Sequence, residues 1–317
     1  MSFENLIKII GGILLNTPSI GKFESLESDP KKTKLGDLFI ALDPSDIEEA
    51  LKNGAYGVLC DYDTPIIDEE IAWIRVDNIE YSLKKLLRFK LLKKDLDFFY
   101  LSHVEFEIAK SITKTKDLIF LKDDMIENFK KIINADENSI IISSDEKTLK
   151  DIYPNFKTHN NKELDQIKLT YKTLFCTSLI YDDIYYENLK FPSLFIDELN
   201  NILDFLKTHD ISYDLNSIEL KNHFKPIFIT DKFKIKHFGE SEHVIIIESS
   251  QTLISSQLTF IKEFATWANA TETSLEELPY LDIDKFNFIL IQANYNELIK
   301  FLEKFSIKNN NSLFTEL

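Results

Sequence analysis

The sequence predicts an α/β protein of more than one domain, on three observations. Strand-type apolar runs and helical repeats alternate along most of its 317 residues, which is the pattern of a parallel sheet with helices packed against it. Hydrophobic residues make up 44% and aromatics 12%, enough to fill packed interiors and too much for a disordered chain. The length exceeds what one typical core holds, so two or three domains are expected.

The first block, 1–92, reads as a small α/β domain. Leu38 to Leu42 is a strand behind the turn Lys34-Leu35-Gly36-Asp37, where glycine supplies backbone freedom and Asp37 a short acceptor to tie the turn down. Ser45-x-x-Glu48 has the spacing of a capping box, and Gly54 falls where a left-handed residue ends a helix. Tyr56–Cys60 and Ile74–Val76 read as strands, and Ile79, Leu83, Leu86 and Leu87 recur at helical spacing.

The second block, 93–226, carries buried-strand signals at Phe98–Leu101, Leu118–Leu121 and Ser139–Ser143, with helices between them at Asp124–Ile133 and Asp145–Tyr153. Thr158 to Lys162 reads as loop. Pro192 opens a helix to about Lys207, and Leu215–Phe224 forms another. In the third block, 227–317, Phe233–Phe238 and Val244–Glu248 flank Gly239-Glu240 as a hairpin. A helix at Leu258–Trp267, a strand at Phe286–Ile291 and an amphipathic helix through Leu298, Leu302 and Phe305 complete it.

Thirty-seven basic against fifty-three acidic side chains leave a formal charge of -16. That disfavours nucleic-acid partners, which are bound by Lys/Arg displacing counterions, and adhesion to anionic membranes. Cys60 and Cys176 sit in apolar surroundings and read as free thiols of a reducing compartment. The start lacks the basic segment of a signal peptide, and Ile9–Leu15 is too short to span a bilayer, so a cytoplasmic protein without membrane insertion is expected.

Two stretches point to a family. Asp29-Pro30-Lys31-Lys32-Thr33-Lys34-Leu35-Gly36-Asp37-Leu38-Phe39 resembles the D-S-R-x-V-x-x-G-D-L-F segment of the Mur ligases, the ATP-driven amide-bond formers of peptidoglycan synthesis, most of all the MurE and MurF branches. Glu49 to Ala55 is similar to their A-x-x-x-G-A helix end. More weakly, Phe224–Thr230 resembles F-x-P-V-x-G-R, and Ile246–Ser256 resembles I-D-D-S-Y-N-A-N-P-x-S, keeping Glu248, Ser249 and Ser256. The resemblance implies a degenerate and shortened Mur-ligase-like chain. Its parts would be an N-terminal α/β domain, a reduced central parallel-sheet domain and a reduced C-terminal Rossmann-like domain. It also implies a remnant of the UDP-side substrate site at Asp29, Lys31, Gly36 and Asp37. The family's Ser-Arg pair is Pro30-Lys31 here, and its D-G-H loop after Leu42 is missing, though Lys31 could meet a phosphate as a point charge.

The glycines argue against the family's chemistry. Of seven, six lie at or before Gly57, and only Gly239 follows. Where a Mur ligase carries T-G-x-x-G-K-T after the strand at Phe98, this chain reads Ser102-His103-Val104-Glu105-Phe106-Glu107. No glycine lets the backbone approach a phosphate, no Lys-Thr pair follows, and Glu105 and Glu107 add charge of the wrong sign. Gly21-Lys22 also fails as a phosphate loop, having Phe23 where the hydroxyl belongs.

Other constellations have plain structural explanations. His103-x-Glu105-x-Glu107 would place three ligand types on one face of a strand, though a solvated edge strand accounts for the same letters. His237 and His243 would face each other across the hairpin. Asp182-Asp183-x-x-x-Glu187 and Asp123-Asp124 follow from an acidic composition, with Asp123-Asp124 suited to a helix start. Tyr181, Tyr185, Tyr186, Phe191 and Phe195 recur at roughly helical spacing, as core residues do.

No catalytic residue, metal or cofactor is therefore expected. The leading expectation is a pseudoenzyme that binds or scaffolds, with cell-wall synthesis enzymes or a UDP-sugar precursor as partner. The rival is an active UDP-MurNAc-peptide ligase with an atypical nucleotide site, using ATP and magnesium. A third reading is an unrelated α/β protein in which G-D-L-F is coincidence.

Overall fold

The computed structural model describes residues 1–159 and 166–312, with side chains as far as Lys304. Of the loop expected at Thr158–Lys162, positions 160–162 lie outside the described residues. The chain packs as two compact units. One comprises Met1–Leu101 and Lys116–Thr158, the other Ser102–Thr115 and His159–Leu317.

The first unit opens with α1 (Phe3–Ile10), β1 (Ile13–Leu14), β2 (Leu26–Glu27), β3 (Leu38–Ile40), α2 (Ile47–Lys52), β4 (Gly57–Cys60), β5 (Ala72–Arg75) and α3 (Ile79–Leu91). The strands form a sheet in the order β1-β5-β4-β3-β2, parallel except for the β1–β5 pair. β3 and β4 are buried at every position, as strands covered on both faces must be. After β6 (Asp97–Tyr100), the chain makes α4 (His103–Ile112) within the second unit. It returns through β7 (Leu118–Phe120), α5 (Met125–Ile133), β8 (Ile140–Ser143), α6 (Glu146–Ile152) and β9 (Lys157–Thr158). These strands pair in parallel in the order β7-β8-β6-β9. One apolar core runs from Phe3 in α1 to Ile152 in α6. α3 lends it Ile79, Leu83, Leu86 and Leu87, all buried, and each such side chain contributes about 1.5–3 kcal/mol.

Past His159 the second unit begins with an antiparallel meander of β10 (Lys168–Lys172), β11 (Thr177–Tyr181) and β12 (Ile184–Leu189). Next come α7 (Ile196–Thr208), β13 (His223–Ile229), β14 (His243–Glu248), α8 (Gln251–Phe264), β15 (Ala270–Thr273), β16 (Phe288–Gln292) and α9 (Tyr295–Ser312). The sheet order is β13-β14-β16-β15, with β14, β16 and β15 parallel and β13 antiparallel at one edge. Facing isoleucines, Ile245 beside Ile289 and Ile247 beside Ile291, fill its core. Among the described residues, no helix is long and apolar enough to cross a membrane.

Several sequence expectations are corrected. Ser45 does not cap α2; Asp43 caps a 3₁₀ turn at Pro44–Asp46 that leads into it. Leu215–Phe224 is not a helix. After a 3₁₀ turn at Leu215–Ser217, Ile218 and Leu220 are buried between exposed Glu219 and Lys221, the period of extended chain. The hairpin partner of Val244–Glu248 is His223–Ile229, and Phe233–Phe238 lies in the long connection. The helix read at Leu258–Trp267 starts at Gln251 and ends at Phe264. The tyrosines read as helical lie on β11 and β12, around a two-residue turn in which Asp182 and Asp183 both take positive φ.

Candidate functional site

The residues predicted for the UDP side meet in the first unit as a closed turn. Gly36 has φ +97; its N–H donates to Gly54 O at 3.1 Å and its carbonyl accepts from Glu24 N at 2.8 Å. The buried Asp37 carboxylate accepts from Ser25 Oγ and, at 2.8 Å, from Lys34 N. Asp29 caps the 3₁₀ turn Pro30–Lys32, accepting from Lys31 N at 3.0 Å. Its carboxyl is held below the usual range chiefly by Lys32, 3.0 Å away. Both carboxylates are thus occupied in shaping the backbone. Lys31 stays exposed with no salt bridge among the described residues.

Ser102–Glu107 is no strand. It is the start of α4, where 100° per residue turns Glu105 about 200° away from His103, so the three do not share one face although His103 and Glu107, four apart, do. Ser102 and Glu105 form a complete capping box: Ser102 N donates to Glu105 Oε2 at 2.8 Å and Glu105 N donates to Ser102 Oγ at 3.3 Å. Glu107 accepts from Lys221 N at 2.9 Å and from both nitrogens of Asn222. No three His, Cys, Asp or Glu side chains among the described residues converge as a metal site. His243 does not face His237; its Nδ1 lies 2.9 Å from Phe286 O.

A buried polar cluster in the second unit forms around Glu248. Antiparallel pairing of β13 with β14 puts His223 opposite Glu248, and both are buried. His223 Nδ1 lies 2.6 Å from Glu248 Oε1. The carboxylate also accepts from Ser250 N at 2.8 Å and from Gln257 Nε2. A carboxylate only accepts, so Nδ1 carries the hydrogen and Nε2 is left as the nitrogen able to exchange a proton. Nearby, burial pushes the Glu198 carboxyl up, with further upward influence from Glu105 and a downward one from His223. An imidazole oriented by a buried acid is a group that proton transfer uses. The sequence signal was a histidine opening one apolar run and a glutamate closing the next, legible only once the strands are known to pair antiparallel.

No protein-family model matches the chain, and no curated protein matches it in sequence. Solved structures match it in fold. A crystal structure of MurF from Acinetobacter baumannii superposes with a TM-score of 0.56 at 9% identity, covering 97% of this chain and 98% of that one. UDP-N-acetylmuramoylalanyl-D-glutamyl-2,6-diaminopimelate--D-alanyl-D-alanyl ligase from the same organism gives 0.53, also at 9% identity and with the same coverage. The chain therefore has a Mur-ligase-like α/β fold over nearly its whole length.

Proposed function

We propose that this chain is a cytoplasmic pseudoenzyme of Mur-ligase fold that has lost ATP-driven ligation and serves peptidoglycan precursor metabolism by binding. Its partner is a UDP-sugar precursor or a cell-wall synthesis enzyme. The three sequence blocks, 1–92, 93–226 and 227–317, are in this reading reduced counterparts of the family's N-terminal, central and C-terminal domains. The start of α4 carries the reading. Phosphoryl transfer depends on positioned donors and charges. Here the chain passes from β6 into α4 through Leu101 and Ser102 alone, and two donors at the helix start, Ser102 N and Glu105 N, are engaged by the capping box. Glu105 also stands where a phosphate's charge would lie.

Titration of the protein with ATP and magnesium in a calorimeter is expected to give no binding heat; micromolar affinity would overturn the reading. The active-ligase alternative gains support from His223–Glu248, an imidazole oriented by a buried carboxylate. Phosphate release from ATP in the presence of a UDP-sugar peptide and a dipeptide distinguishes the two, and none is expected.

A further inference from the structure

A cavity of about 290 Å³ in the second unit is lined by β13 from His223 to Phe228 and by the connection from Ile235 to Phe238. Phe175, just before β11, forms the wall it shares with a second cavity of about 360 Å³ that reaches Trp267 and Phe288. Its ring centroid lies 5.8 Å from Phe224, 6.2 Å from Phe228, 6.2 Å from Phe238 and 6.1 Å from Phe288. Clustered rings normally bury themselves, yet Phe238 is 56% exposed and Trp267 74%. Such exposed, contiguous aromatic surface marks a place where something docks.

The charge pattern says what kind of ligand. Lys190, Lys225, Lys236 and His237 line the first cavity, and no Asp or Glu does, although acids outnumber bases by fifty-three to thirty-seven in the chain. Lys225 is paired with Glu219 at 2.6 Å. Lys190 and Lys236 have no salt bridge among the described residues, so two positive charges stand beside the aromatic wall. Within the lining of the first cavity every charged side chain is basic, which favours an anion there, while Glu242 stands in the second cavity and the rings offer stacking surface to a flat apolar body. The volumes are at the scale of small-ligand pockets.

We propose that this cleft binds a small organic anion, one with an aromatic body of one or two rings and a carboxylate, sulfonate or phosphate headgroup. The rings lie against Phe175, and the headgroup lies toward Lys190 and Lys236. The site shares no residue with the start of α4, so the inference stands apart from the proposed loss of ligation.

The probe is 8-anilinonaphthalene-1-sulfonate, with N-phenyl-1-naphthylamine as its uncharged counterpart. Fluorescence titration of the full chain is expected to show one saturable site for the sulfonate and weaker binding of the neutral compound. Raising the salt should weaken the sulfonate alone. The exposed double variant Lys190→Gln/Lys236→Gln should cost the sulfonate about five-fold or more in affinity, the scale of two screened ion pairs, and leave the neutral probe unchanged. Phe175→Ala should weaken both. Displacement by 1-naphthoate or by 1-naphthyl phosphate then separates a carboxylate from a phosphate headgroup. Equal binding of charged and neutral probes, an unaltered lysine variant with unchanged circular dichroism, or displacement by neither competitor would overturn the proposal.

Discussion

His223 donates its Nδ1 hydrogen to Glu248 Oε1 across 2.6 Å, with both side chains out of water. Taking a carboxylate out of water costs several kcal/mol, and it is tolerated here because three donors converge on Glu248. The pair joins the edge strand β13 to the central strand β14 at the end where α8 begins.

His223→Ala leaves the Glu248 carboxylate buried with two donors. The expected loss is about 3–5 kcal/mol, the usual range for breaking a buried pair from one side. Urea unfolding measures it, and a double-mutant cycle with Glu248→Gln isolates the coupling. A loss below about 1 kcal/mol would mean the pair contributes little.

Glu198 makes stability depend on pH. Its carboxyl is raised by burial above the ordinary value of 4.5, so folding favours the protonated form. That contribution is complete below the unfolded value and is lost as pH rises through the raised folded value. Glu198→Gln, neutral throughout, should therefore gain on the native protein as pH rises. Urea midpoints of both between about pH 4 and pH 8 test the sign; a gap that widens toward acid would contradict it.

Gly54 combines positive φ with tight contact. At φ +98, an added Cβ would lie 3.0 Å from Leu35 Cα, a backbone atom that cannot step aside. Gly54→Ala should cost about 1–3 kcal/mol, read as a lower melting temperature. An unchanged melt would show that the Gly36–Gly54 contact relaxes freely.

Ser102→Ala removes half of the α4 capping box. A stability loss of about 1 kcal/mol is expected. Exposing the freed N–H should not create nucleotide affinity, because Glu105 keeps its charge at the helix start. Chemical denaturation and ATP calorimetry on the same variant check both halves, and acquired ATP binding would show that the cap alone blocks the nucleotide.

The strands and helices with strong local signals are where the residues led. The Gly36-Asp37 turn, the parallel strands at Gly57–Cys60 and Ile140–Ser143, and α3 each depend on spacing and turn chemistry contained in a few neighbouring residues. The misreadings occur where a distant partner decides. Leu215–Phe224 has apolar residues compatible with either period, and Phe233–Phe238 has strand-type letters but loses the competition for β14 to His223–Ile229. His103, Glu105 and Glu107 alternate like a strand, yet Ser102 four residues ahead of Phe106 starts a helix.

By itself, then, the sequence determined the α/β class, the Mur-ligase-like opening segment and the missing phosphate loop, since each is written in local composition and in the placement of seven glycines. Tertiary structure alone decided that His223, Glu248 and Gln257 form one buried network and that Phe175 gathers rings from three separate parts of the chain. Those groupings depend on which strands pair and in what register, and pairing between segments tens of residues apart is set by the burial of whole faces.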